Sequence, residues 1–163
     1  MMKQVFRITS ESVMKHCFTE IVKQYEGGQV CSVVITDKNE TRTNAQNRLY
    51  WLWLKQIKDK TGQDDDDLHV MFKRLFLAKI YARDDGEMAQ LFESLNTLKR
   101  QPNYEQQVAL PFAKRFVTTT MATTAQFSEY LNEIEVWAFK NGIALSIPDD
   151  LKWIKDDEKI SIS

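Results

Sequence analysis

A chain of 163 residues, 43% hydrophobic and 28% charged, has the length and composition of one globular domain that can bury a core without staples. No window approaches the roughly eighteen apolar residues of a membrane span, and two cysteines, Cys17 and Cys31, are too few for a secreted disulfide scaffold. The net charge of −1 excludes a uniformly basic nucleic-acid binder, yet residues 1–62 hold ten basic against six acidic side chains and residues 123–163 four against eight.

Such polarity can present a basic concavity on a chain whose outside is acidic, because local potential governs phosphate binding. It also suits head-to-head packing of subunits. No charged-then-apolar leader opens the chain, which predicts a cytoplasmic location.

Gln4-Val5-Phe6-Arg7-Ile8-Thr9 is short, β-branched and partly alternating, which predicts a strand. From Ser10, the residues Val13, Cys17, Phe18, Ile21 and Val22 recur at helical spacing until Gly27-Gly28 stops the run. Val30-Cys31-Ser32-Val33-Val34-Ile35 predicts a second strand, closed by the turn-like Asp37-Lys38-Asn39. Strand, helix and strand make a β-α-β start.

The strongest helix signal follows. Thr43 and Gln46 have the spacing of a capping box, in which each side chain satisfies an orphan amide of the first turn. At 100° per residue, Leu49, Leu52, Trp53, Leu54 and Ile57 share one side, while Asn47, Arg48, Lys55 and Lys58 collect on the other with Trp51 among them. Two readings compete for Trp51: a platform for an unpaired base beside cations, or burial under a second layer or partner chain. Gln46 falls on the apolar side, where an unsatisfied amide would cost roughly 1–3 kcal/mol.

Gly62 ends that helix and Asp64-Asp65-Asp66-Asp67 precedes the apolar run from Leu68. The aspartates, with His69, are compatible with the metal site of a nuclease. Capping of the next helix and its dipole explain them more simply. His16 is isolated and reads as structural. Tyr81-Ala82-Arg83-Asp84-Asp85-Gly86 predicts a loop, and Met88, Leu91, Phe92, Leu95 and Leu98 a helix closed by Pro102. Residues 101–113 have turn composition. Phe112-Ala113-Lys114-Arg115-Phe116-Val117-Thr118-Thr119-Thr120 predicts an extended segment, in which Lys114 and Arg115 can meet phosphates.

Thr123 and Gln126 repeat the capping-box spacing and begin a last long helix. Phe127, Tyr130, Leu131, Ile134, Trp137 and Ala138 point inward, Glu129 and Glu133 outward, and Asn141-Gly142 stops it. Beyond Pro148 the tail allows a turn or two of helix around Leu151, Trp153 and Ile154, with fraying expected from Lys155. The chain lacks a phosphate-cradling glycine loop, Gly-x-Ser-x-Gly, Cys-x-x-Cys and His-Glu-x-x-His, which lowers the expectation of an enzyme.

Arg42-x-x-x-Gln46-Asn47-Arg48-x-x-Trp51 resembles the signature segment of the NinB family, also called Orf, the recombination proteins of lambdoid phages. Phe127-x-Glu129-x-Leu131-x-x-Ile134, with Gly142-Ile143, is similar to that family's last long helix and its glycine stop. The resemblance spans about residues 3 to 147; residues 62 to 110 depart from it in being richer in acid. It implies an intertwined, ring-shaped homodimer with a basic funnel. Single-stranded DNA would be its ligand, duplex more weakly, and the host single-strand-binding protein its partner while a recombinase loads. Arg42, Asn47, Arg48 and Trp51 match the motif as DNA-binding residues, with Thr43 and Gln46 fixing the strand-to-helix junction. Lys55, Lys114 and Arg115 join the expected DNA-binding set from charge alone.

The expectation is an α+β fold: an N-terminal β-α-β unit, then a mainly helical region with one further extended segment. It forms a single domain over residues 1–147 with a C-terminal tail over 148–163. Its function is that of a non-enzymatic recombination mediator without metal or cofactor. The alternatives are a metal-dependent nuclease using Asp64 to Asp67, and a protein-interaction module working through the Trp153 tail.

Overall fold

The computed structural model describes residues 4–35 and 41–155. Seven α-helices order the described residues: α1 (Glu11–Glu26), α2 (Arg42–Thr61), α3 (Asp65–Phe72), α4 (Ala78–Asp84), α5 (Gly86–Asn96), α6 (Leu110–Phe116) and α7 (Thr124–Lys140). Two π-helical stretches, Lys73–Leu77 and Glu105–Ala109, run directly into α4 and α6, and 3₁₀ turns occupy Thr119–Met121 and Asp149–Leu151. The chain divides into two compact units, one of Met1–Leu49 with Ile147–Ser163, the other of Tyr50–Ser146.

The expected α+β fold is therefore corrected to an all-helical one: the described residues contain no strand. Residues 4–9 and 29–35 are irregular, and Val30, Val34 and Ile35 lie almost wholly in solvent. β-Branched residues suit a pleated, half-buried surface, and no partner strand supplies one here. The expected turn at Asp37 to Asn39 lies outside the described residues. The extended segment expected at 112–120 is mostly helix α6. Ala109, Ala113 and Val117 are buried at the four-residue spacing of one helical face, and Pro111 occupies the first turn, where its missing amide costs no hydrogen bond. The loop expected at Tyr81 to Gly86 is likewise the end of α4, and only Asp85 breaks the helix before α5.

In the first unit, Ser10 caps α1 by accepting from the Val13 amide at 3.3 Å. Val13, Ala45, Gln46, Leu49, Leu151 and Ile154 are buried. The tail folds onto the start of α2: a terminal nitrogen of Arg42 donates to the Ile154 carbonyl at 3.0 Å, and that of Arg48 to the Asp150 carboxylate at 3.2 Å. Arg7 lies over the Trp153 ring at 5.0 Å, and His16 sits 3.4 Å from the Asp149 carboxylate with Phe6 edge-on.

In the second unit, Tyr50, Trp53, Leu54 and Ile57 of α2 are buried, as are Leu68 and Phe72 of α3 and Tyr130, Leu131, Ile134 and Ala138 of α7. Phe72 meets Trp137 edge-on at 5.0 Å, joining α3 to α7. The Trp53 indole N–H donates to the Ser146 carbonyl at 2.9 Å. Gly62, at φ 75°, ends α2 in the left-handed conformation that glycine adopts without Cβ strain. Thr123 and Gln126 close the capping box expected for α7, and Glu129 on its outer face binds Arg83 at 2.6 Å.

Candidate nucleic-acid interface

Helix α2 carries most of the residues expected to bind DNA, so its start matters. The cap is Thr41, whose hydroxyl accepts from the Asn44 amide at 3.2 Å; Thr43 lies inside the helix, exposed. Gln46 is buried to 1% exposure within α2 and so does not serve at a strand-to-helix junction, no strand being present among the described residues. Sequence reasoning placed the cap two residues late because Thr41 and Thr43 have the same capping chemistry.

The wheel's two sides hold in part, with Leu52, Arg48 and Lys58 half-buried. Leu49, Trp53, Leu54 and Ile57 are buried; Asn47 and Lys55 are exposed; Trp51 keeps 40% of its surface in water. What holds it is aromatic: the Trp51 ring lies against His69 at 5.0 Å with planes 31° apart, and Tyr50 meets it edge-on at 5.3 Å.

His69 is itself fixed from below. Its Nδ1 is 2.6 Å from the Tyr50 hydroxyl, which is 3.2 Å from the hydroxyl of buried Tyr130. Burial, and then the nearby Lys73 ammonium, bring the His69 pKa down to about 4, so the ring is neutral at physiological pH. Burial also raises both phenols above their ordinary range, so they keep their protons. The chain Tyr130–Tyr50–His69 is satisfied with either imidazole tautomer: a bare Nδ1 accepts from Tyr50, and a protonated one donates to it. The result is an indole held on a pre-oriented support, with Lys55 one turn along the helix. Sequence reasoning considered His69 only as a metal ligand and did not find this role. Its signal lay in an aromatic pair, Tyr50-Trp51, facing a helix whose inward Leu68 adjoins the histidine.

The remaining expected residues sit elsewhere. Arg42 and Arg48 hold the tail, as described. Lys114 and Arg115 are exposed at the end of α6, with Arg115 5.9 Å over the Phe116 ring, and the Lys114 carbonyl accepts from the buried Lys73 ammonium at 3.1 Å. The aspartate run performs capping: Asp64 accepts from the Asp66 amide, and Lys58 reaches Asp64 at 3.2 Å and Asp65 at 3.0 Å. That pairing raises the Lys58 pKa and lowers that of Asp65. Among the described residues no three histidine, cysteine, aspartate or glutamate side chains gather as a metal site, and no helix is long and apolar enough to cross a membrane. Cys17 and Cys31 are free thiols.

Comparison with protein-family models, with curated proteins and with solved structures finds no match to this chain.

Proposed function

We propose that the protein is a non-enzymatic, single-stranded-DNA-binding recombination mediator of a phage or prophage, acting in the bacterial cytoplasm as a homodimer beside the host single-strand-binding protein. The observation that carries this reading is Trp51, exposed yet held by His69 and Tyr50 with Lys55 one turn away. An unpaired base has a free face to stack on an indole, and the neighbouring ammonium meets a phosphate. Duplex bases already stack on one another, so duplex is the weaker ligand. Arg42, Asn47 and Arg48 support the reading only through the motif resemblance, and Arg42 and Arg48 also bond the tail. A second copy of the chain is the natural cover for the apolar side chains of residues 4–35 left in water, among them Phe18, Tyr25, Val30, Val34 and Ile35.

Fluorescence anisotropy of a labelled oligothymidylate tests the proposal. Loss of one stacked base costs about 1–3 kcal/mol, so Trp51→Ala should weaken binding by roughly 5- to 160-fold, while Trp51→Phe keeps most of it. Lys55→Ala should flatten the log–log salt slope by about 0.7, the value of one phosphate contact on a single strand. The oligonucleotide should stay full-length with or without magnesium. Unchanged affinity in a folded Trp51→Ala protein would refute the interface.

A further inference from the structure

Within the unit Tyr50–Ser146, α4, α5 and α6 line a cleft of about 220 Å³ that has no part in the Trp51 platform. Its small floor comes from alanines of α4 and α6 and of the stretch before α6. Its apolar wall is a corner of two rings, Phe92 and Phe112, edge-to-face at 5.6 Å. Arg74, Lys79 and Lys99 line it and no carboxylate does. Arg74 is answered by Glu105 at 3.3 Å, whereas Lys79 and Lys99 are exposed and form no ion pair among the described residues. The cleft is thus an aromatic slot with two uncompensated ammonium groups. Both π-helical stretches border it, Arg74 coming from one and Ala109 from the other. π geometry accounts for well under 1% of residues in globular proteins and gathers at functional sites, so finding both stretches on the rim of one cleft points to a ligand.

We propose that this cleft binds a nucleotide phosphomonoester, its base against Phe92 and Phe112 and its phosphate between Lys79 and Lys99. A monoester carries about −1.5 to −2 charge at neutral pH, which matches two ammonium groups better than the single charge of an internal phosphodiester. An aromatic base can pack against the Phe92 and Phe112 rings, and that apolar wall replaces the water that its faces shed. The same chemistry is presented by a free mononucleotide and by the phosphorylated 5′ end of a strand. The proposal does not depend on the DNA reading of Trp51.

Isothermal titration of the full chain with adenosine 5′-monophosphate, adenosine and inorganic phosphate tests it. The monophosphate should saturate the protein at least tenfold more tightly than either part alone, and Lys79→Gln/Lys99→Gln should weaken it at least tenfold. Trp51→Ala should leave it unchanged, which separates this site from the platform. An oligothymidylate with a 5′-phosphate that binds more tightly than both its 5′-hydroxyl form and the mononucleotide assigns the cleft to strand ends. Mononucleotide binding without that preference assigns it to the free nucleotide. The proposal fails if no monophosphate saturates the protein at millimolar concentration, if adenosine binds as well as its monophosphate, or if the folded double variant binds undiminished.

Discussion

Acidification should destabilise the protein through His69, and the size of the loss follows from its environment. Burial comes first and Lys73 second in holding its pKa at about 4, against 6.5 in the unfolded chain, with Asp66 opposing them. The folded state then takes up the proton less readily than the unfolded one, so the stability that neutral His69 contributes is complete above pH 6.5 and is lost as the pH falls towards 4. Each tenfold difference in proton affinity between the two states is worth about 1.36 kcal/mol, which sets a ceiling of about 3 kcal/mol; solvent reaching the half-buried ring reduces it to about 1–2 kcal/mol. Urea unfolding at pH 7.5 and pH 4.5, for the natural protein and for His69→Gln, isolates the effect, since other titrating groups are common to both. With a slope near 2 kcal/mol per molar urea, the natural protein should lose about 0.5–1 M more of its midpoint than the variant between the two pH values. Equal losses would refute the reasoning and leave His69 without a buried-neutral role.

The Arg48–Asp150 pair should show coupling: each alanine variant lowers stability by about 1–3 kcal/mol, and the double variant by less than the sum, in a thermal or urea double-mutant cycle. Gly62→Ala should cost about 1 kcal/mol through backbone strain alone, since φ is 75° and the space around it is open. Gly86→Ala, in the first turn of α5 with equally open surroundings and no positive φ, should be neutral or stabilise by up to about 1 kcal/mol in the same melts. Light scattering at micromolar concentration should report a dimer that Val34→Asp/Ile35→Asp dissociates; a monomeric natural protein would remove the homodimer from the proposal.

Where the periodicity was long and punctuated, the fold was legible. Helix α1 from Ser10 to the glycine pair, α2 up to Gly62, and α7 with its capping box all follow from apolar spacing and end chemistry; burial agrees with the spacing in α2 and α7, whereas in α1 only Val13 is buried. The corrections have separate causes. Val30, Val33, Val34 and Ile35 have side chains that favour a pleated sheet, but a strand exists only when another supplies the hydrogen bonds, and that partner cannot be read from the segment itself. At residues 112–120 the position after a loop and the threonine run suit an extended segment, whereas Ala109, Ala113 and Val117 mark a helical face.

The candidate interface divides along the same line. The exposure of Asn47 and Lys55 is a property of one helix, and a wheel finds it; for Trp51 the wheel leaves exposure and burial both open, and only the fold shows its 40% exposure. The role of His69 requires it and Tyr130 to meet Tyr50 from nineteen and eighty residues away in sequence, which is knowable only once the chain has folded. Arg42 and Arg48 show the converse: the motif resemblance assigns them to DNA, and the fold adds bonds to residues about a hundred positions later in the chain that no local pattern announces. A cation is more available to a ligand once its own fold has been served, and among the cations discussed that criterion leaves Lys55, Lys79, Lys99, Lys114 and Arg115, all exposed and without an ion pair among the described residues.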